Sequence, residues 1–153
     1  MIRRLAFSLA LLASPVCGWA QVSPQVSVVG RVAQPQTISV QGLASMPAFE
    51  VTAATERGQS VFVGAALWPL IAAAAPIDGP ERGSHLQHVI FARGADGYAV
   101  AVAMGEIDPQ FEAKPVLIAY KQDGVLLAAP RLVMPLDHRA GRNVRDLQTL
   151  DVQ

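Results

Sequence analysis

Short apolar and β-branched runs, divided by Gly, Pro and Asp-Gly turns, fill most of this chain. That pattern predicts many short strands rather than long helices. Ser27–Val32 and Thr37–Val40 read as strands, the second alternating polar and apolar positions as a strand with one buried face does. Gln41–Met46 predicts a helical turn closed by Pro47. Phe49–Thr55 and Ser60–Val63 are strand-like and flank a Glu56-Arg57-Gly58-Gln59 loop. The one helix with strong local propensity starts around Trp68-Pro69-Leu70-Ile71 and runs into four alanines before Pro76. Pro69 suits a first helical turn, and Leu67, Leu70, Ile71 and Ala74 fall on one face, so the helix is expected to lie on a sheet.

The second half centres on Phe91–Glu106. Strands His88–Arg93 and Tyr98–Ala103 flank Asp96-Gly97, a pair that tolerates the backbone angles of a hairpin turn. Val116–Tyr120 is apolar almost without interruption, as in a strand covered on both faces. Asp123-Gly124 predicts another turn, followed by Val125–Leu127, Arg131–Met134 and a last strand within Val144–Val152. The sum is a single α+β domain, β-rich, with a mixed sheet and few short helices.

Composition changes this picture mainly at the N-terminus. Arg3-Arg4, the apolar Leu5–Leu12 and Gly18-Trp19-Ala20 predict a signal peptide over residues 1–20, cleaved after Ala20, which directs the domain 21–153 to the periplasm. The apolar run falls short of the ~20 residues that a membrane span needs. A rival reading makes Cys17 a lipidated residue, but the branched Val16 before it disfavours that. Cys17 is the only cysteine, so the domain 21–153 carries no thiol and no disulfide. The formal net charge is +0, and without the signal arginines the chain is slightly acidic, which excludes a general nucleic-acid partner. Gly-rich phosphate loops, nucleophile elbows and paired-carboxylate signatures do not occur.

Several pieces occur in a recognisable order: Gly30-Arg31-Val32; Phe62-Val-Gly-Ala-Ala-Leu-Trp-Pro-Leu-Ile71; Ala95-Asp-Gly-Tyr98; Gly105-Glu-Ile-Asp-Pro109; Pro115-Val-Leu-Ile-Ala-Tyr120; Pro130-Arg-Leu-Val-Met-Pro135; and Arg142-Asn-Val-Arg-Asp-Leu147. This set resembles the oxidoreductase molybdopterin-binding domain, the catalytic fold of sulfite oxidases and of periplasmic methionine sulfoxide reductase catalytic subunits. The resemblance covers nearly all of 21–153 and is greatest to short exported members. It implies a pyranopterin (molybdopterin) cofactor, with molybdenum held by the pterin dithiolene and one protein cysteine, and oxygen-atom or electron transfer with a periplasmic redox partner. The cysteine-bearing segment of the large enzymes corresponds to Val51–Arg57, which contains no thiol. Two functions follow: a molybdopterin-binding, oxidoreductase-like domain, or a cofactor-free binding or accessory module that uses the same cleft for a small anion or a protein partner.

The residues expected to bind the cofactor are Asp96, Tyr98, Arg131 and Arg142; no metal ligand and no catalytic residue is assigned. Arg131, His138, Arg139, Arg142 and Arg145 gather in the C-terminal third, and their forked cations suit phosphate or sulfate. Arg131, between Pro130 and an apolar strand, is expected to be half-buried, either on a ligand or paired with Asp96 or Glu106. Asp96 suits a turn and Tyr98 a packed position with its hydroxyl at the sheet mouth. Glu106 is a weak acid–base candidate. His85 and His88, three apart at a loop-to-strand junction, are expected on opposite faces, which argues against a shared metal.

Overall fold

The structure, a computed structural model, describes residues 24–153; the signal segment 1–20 and Cys17 lie outside the described residues. Within them the order is β1 Gln25–Gly30, β2 Gln36–Ser39, α1 Val40–Ser45, β3 Ala48–Thr55, β4 Gly58–Ala66, α2 Leu67–Ala74, β5 Val89–Gly94, β6 Ala99–Ala103, α3 Met104–Ile107, β7 Leu117–Gln122, β8 Val125–Val133 and β9 Leu147–Val152. Single turns of 3-10 helix stand at Ser84–Gln87 and Ala140–Arg142. The strands form two sheets, ordered β2-β1-β9-β5-β6 and β3-β4-β7-β8. The first is mixed, because β1 runs parallel to β9 while its other pairs are antiparallel.

The two sheets enclose one main core. Val26 and Val28 of β1, Ile90 and Ala92 of β5, and Leu150 and Val152 of β9 meet Ile118 and Tyr120 of β7 and Leu132 of β8. The helix α2 enters this core with Leu67, Leu70, Ile71 and Ala74, the four residues that the helical spacing selects. Burying each leucine or isoleucine there contributes roughly 1.5–3 kcal/mol. Pro69 lies in the first turn, and Ala75 ends the helix in a left-handed conformation ahead of Pro76. The apolar run Val116–Tyr120 has the expected double cover: Ile118 and Tyr120 face the main core, while Leu117 and Ala119 face a second cluster with Ala53, Phe62 and Val133.

Several local expectations are corrected. β1 stops at Gly30, whose φ of 93° turns the chain beside Val152. Val125–Val133 is one strand rather than two, and Pro130 lies where its register with β7 shifts, so the missing N–H costs no ladder bond. The last strand begins at Leu147, since Val144 instead bridges Leu132. At the central hairpin only Gly97 has positive φ, and Gly94 closes the turn by bonding Gly97 and Tyr98; the two-residue turn with both angles positive is Asp123-Gly124. Residues 84–87 form a 3-10 turn instead of a strand entry, which brings His85 and His88 together, with ring centroids 6.3 Å apart.

Candidate functional site

Three irregular segments meet at one end of the sheets and leave an open cleft of about 820 Å³. Its first wall is the β3–β4 turn, with Ala54, Thr55, Glu56, Gly58 and Gln59. The Thr55 hydroxyl donates to the Gly58 carbonyl at 3.0 Å and accepts from the Arg57 N–H at 3.2 Å, so the threonine side chain is spent on the turn. The second wall is the β5–β6 turn, where Asp96 accepts from the Tyr98 N–H at 2.9 Å. Tyr98 is 50% exposed and donates its hydroxyl to the Gly141 carbonyl at 2.5 Å. That bond ties the second wall to the third, residues 138–145.

The third wall has no regular ladder of its own, and side chains hold it. Asn143 accepts from the Met134 N–H at 2.8 Å and donates to the Ala54 carbonyl at 2.9 Å, clamping the segment between β8 and β3. Arg142 turns away from the cleft. Its guanidinium grips Asp137 at 2.6 and 2.7 Å and Glu106 at 3.1 Å. Glu106 also accepts from Lys114 at 2.8 Å and from the Ala103 N–H at 3.1 Å, capping α3. The Asp137 hydrogen bond, with that of Glu106, holds the Arg142 pKa above its ordinary value. Burial pushes the Glu106 carboxyl up, but Lys114, the Ala103 amide and Arg142 outweigh it and leave the group below its ordinary range. Such a carboxylate is a poor proton donor, and it does not line the cleft.

The fold therefore brings Asp96 and Tyr98 together and leaves Arg131 and Arg142 out of the cleft lining. Arg131 is half-buried as expected, but its partner is neither Asp96 nor Glu106. It donates to Gln122 at 2.9 Å and lies 5.8 Å over the Phe62 ring, with Nε buried and without a partner. Burial, with the nearby Arg145 charge, lowers its pKa. The cleft's charged side chains are Glu56 and Arg145, paired at 2.7 Å, together with Asp96 and Arg139, and His138 lies beside them. Among the described residues, neither His138 nor Arg139 makes an ion pair, and both are exposed. Asn143 is the residue that reading the chain missed. It is ordinary in sequence, and only the approach of β3 to residues 140–143 makes it a clamp.

The donors do not fit a protein-ligated molybdenum. In the segment that the resemblance matches with the metal-binding cysteine, Ala54, Thr55 and Glu56 offer a methyl group, a hydroxyl already used by the turn, and a carboxylate paired with Arg145. A soft thiolate suits a redox molybdenum; these oxygens do not replace it. Among the described residues no three His, Cys, Asp or Glu side chains gather as a metal-binding group. No described helix is long and apolar enough to cross a membrane.

Two sheets around a shared core, a mixed first sheet and few short helices make a β-rich α+β domain. No family profile and no curated protein sequence matches the chain. A solved structure does: the sulfane dehydrogenase SoxCD from Paracoccus pantotrophus, with a TM-score of 0.66 at 18% identity over 84% of this chain. At that identity the likeness shows the fold alone. The chain spans 37% of the length of that protein.

Proposed function

We propose that this domain is an exported binding module whose cleft takes a small anion, and that it holds no molybdenum through its own side chains. The observation that carries this reading is the pair His138 and Arg139, exposed on the cleft wall without an ion-pair partner among the described residues, beside a wall that offers no thiolate. An arginine fork free of a carboxylate can meet an oxyanion with two parallel hydrogen bonds. The neighbouring Arg145 adds a second fork once an anion competes with the exposed Glu56.

A second reading keeps the molybdopterin cofactor, held by its pterin and phosphate alone. What favours it is the lining itself: the segment that the family resemblance aligns with the metal-binding cysteine forms part of this cleft. One experiment separates the two. Protein purified from a periplasm that makes the cofactor is analysed for molybdenum, tungsten and released fluorescent pterin, then titrated calorimetrically with inorganic phosphate and sulfate. The binding module predicts no metal, no pterin and anion binding that Arg139→Ala weakens by about tenfold, one charge-assisted bond. Near-stoichiometric metal with pterin overturns it in favour of the second reading, and anion titrations without heat overturn it outright.

A further inference from the structure

Four strands end the two sheets: β2 and β6 in the first, β3 and β8 in the second. An open edge invites pairing with another chain, and sheets blunt it with charge, proline, a shifted register or brevity. β2 is four residues long and runs straight into α1. β3 carries the exposed Glu50, and its Ala54 carbonyl is taken by Asn143. β8 carries Pro130 at a shift of register. β6 has none of these devices: Ala99-Val100-Ala101-Val102-Ala103 is uncharged, and it pairs with β5 without a shift.

The ladder fixes which main-chain groups of β6 stay open. The Gly94 N–H donates to the Tyr98 carbonyl at 2.9 Å and the Met104 N–H to the His88 carbonyl at 3.0 Å. The alternation of an antiparallel pair then turns the groups of Val100 and Val102 towards β5 and those of Ala99, Ala101 and Ala103 outward. Glu106 already accepts from the Ala103 N–H. The N–H and C=O of Ala99 and Ala101 have no hydrogen-bond partner among the described residues. The geometry points to β6 as the edge on which a second copy of this chain docks, strand against antiparallel strand. With Val100 opposite Val100 of the second copy, Ala99 exchanges two bonds with Ala101 of that copy, and Ala101 exchanges two with its Ala99. Every open group is satisfied, and the Ala103 cap is left intact.

Side chains and charge favour the same partner. Val100 and Val102 pack on the main core, so only small methyl groups stand on the outer face of β6. Ala99 lies beside Arg93 of β5, and Ala101 lies beside Phe91. In the two-fold register, one row across the seam runs Arg93, Ala99, then Ala101 and Phe91 of the second copy. Arg93 is exposed and makes no ion pair among the described residues. At ordinary strand spacing its Cα stands about 14 Å from that Phe91 Cα. An extended arginine lying over two methyl groups closes that span to cation–π distance, about 6 Å, and symmetry makes the contact twice. The formal net charge of +0 lets two copies meet without long-range repulsion.

Sedimentation equilibrium of the whole protein, with reductant present so that Cys17 cannot cross-link, tests this. The seam is short, so the expected dissociation constant lies between about 1 μM and 1 mM, the range of small transient contacts. Hydrogen exchange read at individual amides, below and above that concentration, should show Ala99 and Ala101 gaining about tenfold protection as dimer forms. Ala103, already bonded, should not change. Ala101→Pro removes an N–H that β5 does not use, and with it two of the seam's bonds. Ala101→Lys keeps every main-chain group and sets its cation against Arg93 of the second copy. Each should weaken the dimer by at least about tenfold, with the monomer's circular dichroism unchanged. A protein that stays monomeric to about 1 mM overturns the proposal. So does a dimer that both variants leave intact, or one that forms without added protection at Ala99 and Ala101.

Discussion

Replacing Glu106 by Gln tests how the cleft wall is held. The side chain is 17% exposed and accepts from Lys114, Arg142 and the Ala103 N–H, so the change removes charge while preserving shape. A charge-assisted hydrogen bond contributes roughly 1.5–3 kcal/mol when intact. The full value is not lost at each partner: Lys114 keeps Glu112 and Arg142 keeps Asp137, and these two cations are 27% and 35% exposed, so solvent screens them. An amide oxygen still accepts one bond, which leaves a net cost of about 2 kcal/mol. For a domain of this size that is a fall in Tm of roughly 6–10 °C. Glu112→Gln is the control, because its carboxylate is 58% exposed and Lys114 retains Glu106; its expected cost is about 0–0.5 kcal/mol. Thermal melts by circular dichroism should be run from pH 7 down to pH 3. Glu106 titrates below its ordinary value when folded, so its stabilisation is present above the unfolded value and lost as pH falls through the folded one. The gap between wild type and Glu106→Gln should therefore close in acid, where the protonated acid resembles the amide. Equal melting of Glu106→Gln and Glu112→Gln at pH 7, or a gap that widens in acid, would refute the reasoning.

Two further outcomes are expected. Gly64→Ala should destabilise by about 2–3 kcal/mol in urea denaturation, because the added Cβ would stand 2.3 Å from the Ile118 oxygen and 2.6 Å from the Ala119 Cα, both main chain of β7; Gly141→Ala, with nothing within 4 Å, should cost little. Arg131→Met removes a buried Nε without a partner along with the Gln122 bond, while a flexible apolar stem still covers Phe62. Stability should stay within about 1 kcal/mol and anion affinity should not change; a large loss of affinity would return Arg131 to the binding site.

What local physics dictates was legible in the chain. The face of α2, the doubly covered run of β7, the Asp123-Gly124 turn and the β-rich α+β class all follow from side-chain period and backbone preference, which act within a few residues. The half-burial of Arg131 was legible for the same reason, since its apolar neighbours are adjacent in sequence. Its partner was not. Gln122 reaches it only through the β7–β8 pairing, and the cation so placed lies over the Phe62 ring and makes no ion pair with Asp96 or Glu106. Arg142 and Asp96 show the same division. Asp96 serves its own turn, two residues away, whereas Arg142 is drawn off the cleft by Glu106, thirty-six positions earlier. The joining of residues 54–59, 96–98 and 138–145 into one cleft, and of His85 and His88 on one oxygen of Asp78, was decided by the packing of two sheets. Burial energy depends on which surfaces meet in space, and the one-dimensional pattern carries only which residues are apolar enough to meet.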